Sequence, residues 1–406
     1  MKRTAVIVVF VLLAFTLQAQ LNKYGVPVMK SYSTNISPGS EFNWWITKDK
    51  FGAVYFGNDD KGVIRYDGTN WSDIPVRNNS RVRALGSDKY GIIYVGGAFE
   101  FGFIEPDSDG QMVYVSLSKK YDSSAADMTG KSDPGSKRTT AQSSSVYIGE
   151  IFSLTVSDSL VFYLSNESLF IYNINDQQLV HLNLREQGFV QFIRIYNIDG
   201  RIILAENIKG LFEYLNGKIV RLPGGEFFAG KQCLAVLPVS EGKLLVGTYN
   251  TGIFLYDYLN GKVNDSWVDK SVSRRISPIY CGVRLSTGEF ALGTVGGEGI
   301  FLLDKNGQLI SHWNSRTTEM PDNIIYALYT EPGNNELWIA TAGFITKAYT
   351  NIPFNQFSTK SGIDVTVNGI CEMNGVIYIS TDNGVYSHHL CLPCSPTYSM
   401  RMMSSM

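Results

Sequence analysis

The chain reads as an all-β fold built from repeated antiparallel sheets, and three observations carry that reading. A glycine followed by apolar residues and then mostly an aromatic recurs eight times, at Gly62, Gly102, Ser168 (serine in place of glycine), Gly210, Gly252, Gly299, Gly343 and Gly384. Successive starts lie 40, 66, 42, 42, 47, 44 and 41 residues apart. The 23 Tyr, 22 Phe and 6 Trp of the 406 residues suit pleated, half-buried surfaces. No fifteen-residue window keeps the three-and-four apolar spacing of an amphipathic helix. A strand-rich repeat with a period near forty is the pattern of a β-propeller, whose blades bury their faces only against one another.

The first twenty residues, MKRTAVIVVFVLLAFTLQAQ, carry a basic tip (Lys2, Arg3), an apolar run from Ala5 to Leu17, and then small or polar residues. Such a run is short for a bilayer span, so residues 1–19 read as a secretory signal cut after Ala19; the alternative is an uncleaved anchor. The expected location is therefore periplasmic or secreted. Removing Lys2 and Arg3 from the 35 basic residues leaves 33 against 37 acidic, a net of −4. That balance gives no electrostatic footprint for nucleic acid, and no partner of that class is expected. No second membrane span is evident. Of the five cysteines, Cys233, Cys281 and Cys371 sit singly in strand-like segments and read as small buried apolar residues, so no disulfide framework is expected.

Each unit follows one order. A strand, here A, leads to a turn about ten residues before the opening glycine: Asp49–Gly52, Asp88–Gly91, Asp199-Gly200, Glu241-Gly242, Thr287-Gly288, Pro332-Gly333 and Asn374-Gly375. Asp-Gly and Asn-Gly accept the positive φ that tight hairpins need. Strand B follows, as in AVYFG (53–57), KLLVG (243–247) and VIYIS (376–380). A short loop then leads to strand C at the glycine, and a weaker strand D comes last, marked by Trp71, Val113–Leu117, Leu179–Leu184, Lys218–Leu222 and Leu309–Trp313. The long step before Ser168 holds Ser118–Ser145, rich in Ser, Lys, Asp and Gly, with too little apolar surface to fold alone; it reads as a mobile insertion.

Val28–Thr34 reads as a D strand lacking its own blade, able to complete the blade that holds Gly343. Residues Asn355–Thr359 precede the eighth unit much as this segment precedes the first. The expectation is a seven-bladed propeller over 28–350, the first blade of a second, incomplete propeller over 351–387, and a disordered tail over 388–406. One eight-bladed ring is the alternative.

No catalytic motif is found: HExxH, GxSxG, phosphate-loop and dinucleotide-loop patterns are all missing. His181 and His312 stand alone in D strands, and Asp107–Gly110 matches only the start of a calcium loop and reads as a turn. Cys391 and Cys394 with His388 and His389 match zinc spacing poorly. No cofactor, metal or catalytic residue is assigned. The B–C loops open on one face of a propeller, around its channel. Their mixture of aromatics, acids and amides suits a polar ligand such as a carbohydrate. Candidate ligand-binding residues there are Asp59, Asp60, Lys61, Phe99, Glu100, Glu206, Lys209, Tyr249, Asn250 and Glu298. Trp44 and Trp45, adjacent on a strand, are expected to face opposite ways, one into the core.

The units EGKLLVGTYNTGIFLYD (241–257), TGEFALGTVGGEGIFLLD (287–304) and NGVIYISTDNGVYS (374–387) resemble the two-component regulator propeller repeat, and the resemblance runs from about Asn43 to Ser387. Asn58 and Gly97 depart from its threonine, and the third copy is degenerate. The resemblance implies the periplasmic sensor region of a hybrid two-component or helix-turn-helix regulator. It further implies a dimer and membrane attachment only through segments that this chain lacks. The expected function is non-enzymatic sensing of a small polar ligand or oligosaccharide, or dimer contact. The alternatives are a secreted propeller enzyme acting on polysaccharides and an extracellular protein-binding scaffold.

Overall fold

The computed structural model describes residues 27–121, 146–350, 356, 365–374 and 376–389. The expected signal segment, most of the 118–145 insertion, and residues 390–406 of the expected tail, with Cys391 and Cys394, lie outside the described residues. The chain divides into two compact units, one over 29–315 and 320–351, the other over 1–28, 316–319 and 352–406. Among the described residues no helix is long and apolar enough to cross a membrane.

The larger unit holds seven four-stranded antiparallel sheets. After β1 (Met29–Ser33), the first is β2 (Asn43–Lys48), β3 (Val54–Asn58), β4 (Val63–Tyr66) and β5 (Trp71–Ile74). The second is β6 (Val82–Ser87), β7 (Ile93–Gly97), β8 (Glu100–Pro106) and β9 (Met112–Ser116). The third is β10 (Ser153–Ser157), β11 (Leu160–Leu164), β12 (Ser168–Asn173) and β13 (Leu179–Asn183). The fourth is β14 (Phe192–Ile198), β15 (Arg201–Glu206), β16 (Gly210–Leu215) and β17 (Lys218–Arg221). The fifth is β18 (Cys233–Ser240), β19 (Lys243–Thr248), β20 (Ile253–Asp257) and β21 (Lys262–Asn264). A short helix, α1 (Lys270–Arg275), leads to the sixth: β22 (Ile279–Arg284), β23 (Phe290–Thr294), β24 (Ile300–Leu303) and β25 (Leu309–Trp313). In the seventh, β26 (Ile325–Tyr329), β27 (Glu336–Thr341) and β28 (Phe344–Tyr349) take β1 as their outer strand, Met29 opposite Ala348 and Ser33 opposite Phe344.

The first strand of each sheet packs on the first strands of the sheets before and after it, and β26 packs on β2. The seven sheets therefore close a ring around a central channel: a seven-bladed propeller. Its core lies between blades. Tyr32, Ile46, Phe56, Tyr66, Trp338 and Ile345 fill the closing seam between the last blade and the first. Each such side chain stabilises by about 1.5–3 kcal/mol when fully buried, so the seam holds the ring shut.

Local chemistry explains why the blades repeat. Asp49 Oδ1 accepts from the Phe51 and Ala53 amides (both 2.9 Å) and its Oδ2 from the Tyr55 hydroxyl (3.0 Å). Asp88 repeats this with Tyr90, Ile92 and Tyr94. The threonine at the end of strand B caps the next loop: Thr248 Oγ1 donates to Gly252 O (2.8 Å), Thr294 to Gly299 (3.0 Å) and Thr381 to Gly384 (2.9 Å). Gly62, Gly210, Gly252, Gly299 and Gly343 all hold positive φ, as the turn into strand C requires.

The second copy differs. Its strand C begins at Glu100, and Phe99 (φ 58°) takes the left-handed position, while Gly102 lies inside the strand. Gly102 is glycine for a different reason: a Cβ there would meet Val115 O at 2.0 Å. Asp107–Gly110 is a C–D turn, Asp107 Oδ1 accepting from the Asp109 and Gln111 amides. Ser118–Tyr121, expected in the insertion, form a 3-10 turn, and Ser118 is buried.

The smaller unit holds β29 (Val367–Met373), β30 (Val376–Thr381) and β31 (Gly384–His389), paired in that order. β31 runs through His388 and His389, which the sequence reading assigns to the tail, because Val376 pairs with His389 and continues the ladder. Cys233 is buried and Cys281 half-buried, but Cys371 is exposed, contrary to expectation, on a strand with few buried neighbours.

Candidate functional site

One irregularity recurs around the ring. Near the start of β2, β6, β14, β18, β22 and β26 the register with the next strand skips one residue, a β-bulge. The skipped residues are Trp44, Arg83, Ile193, Leu234, Tyr280 and Tyr326. A bulge leaves its extra residue out of the ladder and re-aims its side chain. Five of the six line a hollow of about 290 Å³ at one mouth of the channel, and Tyr326 lines the channel of about 490 Å³ that continues from it. The mouth lies on the B–C loop face, since Asn43 at the start of β2 pairs with Asn58 at the end of β3.

Trp44 and Trp45 are both half-buried and both touch the channel; Trp45 also packs on the core between the first two blades, as expected of one of the pair, while Trp44 is the bulged residue at the mouth. Trp44 stacks on Phe42 (centroids 5.6 Å apart) and meets Tyr326 at 5.1 Å. Its indole N–H donates to Asp59 Oδ1 (2.9 Å). The Arg83 guanidinium sits over the Trp44 ring at 3.9 Å.

Below this collar is Arg194, which follows the bulge in β14. Its guanidinium lies 4.7 Å from the Trp45 ring centre and 5.6 Å from that of Tyr280. The residue is 8% exposed, and among the described residues its guanidinium has neither a hydrogen bond nor an ion pair. Glu150, an acidic residue lining the mouth, lies 3.3 Å from Arg81 as an ion pair without a hydrogen bond.

The ten residues expected to bind ligand fall into different settings. Glu100 is buried, its carboxylate accepting from Tyr114 (2.8 Å), Ser116 and Ser118 (2.6 Å), with Arg77 at 3.5 Å. Glu206 is buried where other blades carry threonine and caps its own loop, accepting from the Gln191 amide (2.9 Å) and the Lys209 amide. Lys209 turns to Gly188 O. Asp60 accepts from the Ser40 amide (2.9 Å), and Lys61 is exposed. Asp59 and the exposed Phe99 share a shallow hollow with Arg81. Asn250 lines a separate hollow beside α1, with Tyr249 next to it in sequence and hydrogen-bonded through its carbonyl to Ser277 (3.1 Å). Glu298 is exposed near His312.

Sequence reasoning missed Arg83, Arg194, Tyr280 and Tyr326. The signal lies in aligning the A strands on the residue that faces the second-last position of strand B, or the last position in β11: Ala84, Ser153, Ala235, Cys281 and Ala327 are small, whereas Trp45 and Arg194 are large.

Two groups that line the channel, Cys281 and Tyr326, are held protonated. Burial pushes the Cys281 thiol up to about 12 against the opposing pull of Arg194, and burial raises the Tyr326 hydroxyl above its usual value. The two histidines of the larger unit lie in outer strands. His181 stacks on Phe170 (4.8 Å) in outer strand β13, and His312 stacks on Phe301 (4.0 Å) in outer strand β25. Arginines and stacked rings such as these can hold a ligand by charge and by stacking.

No protein-family model matches the chain, and no curated protein does. Among solved structures it is similar to the extracellular domains of two hybrid two-component systems from B. thetaiotaomicron. One has 16% identity and TM-score 0.58 over 92% of this chain and 47% of that one; the other has 15% and 0.62 over 89% and 48%. The chain thus spans about half the length of those domains. Virginiamycin B lyase from Staphylococcus aureus is similar at 12% identity and TM-score 0.56, over 79% of this chain and 99% of that one. All three likenesses concern the propeller fold.

Proposed function

We propose that this chain is the ligand-reading propeller of a cell-surface or periplasmic sensor, working by binding rather than catalysis. Its site is the mouth of the central channel. β29–β31 then serve as the first blade of a second propeller, and the N-terminal segment as an export signal. The observation that carries the reading is the ring of bulges that turns Trp44, Arg83 and Tyr280 toward one opening. Bulges cost ladder hydrogen bonds and are concentrated beside sites where a side chain has to be aimed. The likeness in fold to extracellular domains of two-component systems supports the sensing part.

Titration of the chain with a panel of oligosaccharides, followed by tryptophan fluorescence and calorimetry, tests it. A ligand is expected to quench Trp44 and Trp45, and Trp44→Ala to weaken it tenfold or more, given that ring stacking is worth about 0.5–1.5 kcal/mol beyond its buried area. Release of cleaved glycan, or a ligand that binds Trp44→Ala unchanged, overturns the reading.

A further inference from the structure

We infer that the channel ligand is an acid: a ring carrying a carboxylate, which Arg194 grips at the bottom of the mouth while the aromatic collar stacks on the ring. This rests on the channel-mouth reading above and names the chemistry of its ligand.

Arg194 carries the inference. An arginine that is nine-tenths buried as a residue normally meets a carboxylate, because burying an unpaired charge is costly. Here the two groups beneath it are rings, Trp45 at 4.7 Å and Tyr280 at 5.6 Å, and among the described residues no carboxylate or hydrogen-bond acceptor pairs with it. Cation–π contact uses the face of the guanidinium and leaves its N–H fork unused. That fork matches the two oxygens of a carboxylate. The group lines both the mouth and the deeper channel, so an incoming anion reaches it from the B–C face.

The surroundings agree with this. Arg83 also lines the mouth, its guanidinium held over Trp44 at 3.9 Å, and it adds a second positive charge. Among the described residues the acidic one lining the mouth, Glu150, has its charge partnered by Arg81 at 3.3 Å rather than by Arg194. The strand positions equivalent to Arg194 in β6, β18 and β26 hold Ala84, Ala235 and Ala327, so among these four strands only β14 carries a charged side chain there. Trp44 and Tyr280 supply flat faces on which a sugar or an aromatic ring can lie.

The probes are D-glucuronate and benzoate, each set against its neutral counterpart, glucose and benzyl alcohol. Binding to the full chain is read by tryptophan fluorescence and calorimetry at low and high salt. At least one acid is expected to bind, with its neutral counterpart weaker by tenfold or more, and added salt should weaken the acid selectively. Arg194→Gln should cost the acid about tenfold to a hundredfold, as expected for losing charge-assisted hydrogen bonds. Arg194→Lys should recover only part of this, since it keeps the charge without the fork. Arg83→Gln, outside the buried layer, is the second probe and should cost less than Arg194→Gln. Circular dichroism and thermal unfolding establish that each variant is folded. Preference for glucuronate assigns a sugar acid, and preference for benzoate an aromatic acid.

Binding of neither acid overturns the inference, as does acid binding that Arg194→Gln leaves unchanged. Oligosaccharides that quench Trp44 regardless of charge overturn it too, yet leave the channel-mouth site standing. A chain that binds neither these probes nor the oligosaccharide panel overturns both.

Discussion

The guanidinium of Arg194 and the indole of Trp45 meet across the central channel, 4.7 Å apart. Their strands, β14 and β2, stand three blades apart in a ring of seven, as far apart as the ring allows. The pair bars the channel just below its mouth, in a layer where the other five A strands carry Ala84, Ser153, Ala235, Cys281 and Ala327. Arg194 and Trp45 together form a floor there, and the floor is charged.

That floor has a thermodynamic consequence. Arg194 is buried without a counter-charge, and desolvating an ion costs several kcal/mol, of which cation–π contact returns about 2. Arg194→Met keeps the bulk and removes the charge. It is expected to raise the unfolding free energy by about 1 kcal/mol, measured by urea denaturation, while removing any preference for acidic ligands. A variant less stable than the parent would show that the ring contacts outweigh the desolvation.

The Asp49–Tyr55 pair braces the A–B turn of the first blade, and Asp88–Tyr94 does the same in the second. Burial holds the Tyr55 hydroxyl protonated, its pKa pushed up to about 12, so it stays a donor at every relevant pH. Tyr55→Phe should cost about 1 kcal/mol, the net value of one hydrogen bond. Asp49→Ala should cost more, because the Phe51 and Ala53 amides lose their acceptor as well. Chemical denaturation of both single variants and the double variant measures the coupling between them.

These turns were legible in the sequence because their chemistry is local: aspartate, positive-φ glycine and a strand of fixed length lie within ten residues. The D strand at Val28–Thr34 was legible for the same reason, since a lone strand in a repeat has to find a partner, and β1 finds β28. The bulges were not legible. Their extra residues are Trp, Arg, Ile, Leu, Tyr and Tyr, with no shared side-chain chemistry, because a bulge is set by pairing between strands. Arg194 belongs to no motif, and what sets its place is one skipped residue in the pairing of β14 with β15. The second copy misled for a related reason. Gly102 has the right neighbours, but its smallness serves the close approach of Val115 O, and Phe99 makes the turn.

The cysteines should separate by reactivity. Cys233 and Cys281 are both pushed up to about 12, chiefly by burial, so almost no thiolate forms at neutral pH. Cys371 is exposed. Alkylation with iodoacetamide at pH about 8, read peptide by peptide in a mass spectrometer, should label Cys371 before Cys233 and Cys281 and leave those two unmodified until the chain unfolds. Cys281 gives the sharper reading because it lines the channel. Prompt labelling there would mean that Arg194 lowers the thiol more than burial raises it.

The fold should also lose stability in mild acid through its histidines. Burial holds both His181 and His312 below the ordinary imidazole value, with Glu186 opposing it at His181 and Glu298 opposing it at His312. In the unfolded chain each takes up a proton near pH 6.5; in the fold each does so only at lower pH. Within that window the unfolded state binds more protons, so stability falls as pH drops from about 6.5, and above about 7 the two residues contribute nothing. Exposed Asp67 and Asp257 are held below the usual carboxylate range by backbone and asparagine hydrogen bonds and act in the same direction only below about pH 4. Urea midpoints at pH about 7 and about 5.5 isolate the imidazoles. His181→Gln should flatten the difference between those midpoints, and a slope unchanged by that substitution would show that the imidazole of His181 titrates alike in both states.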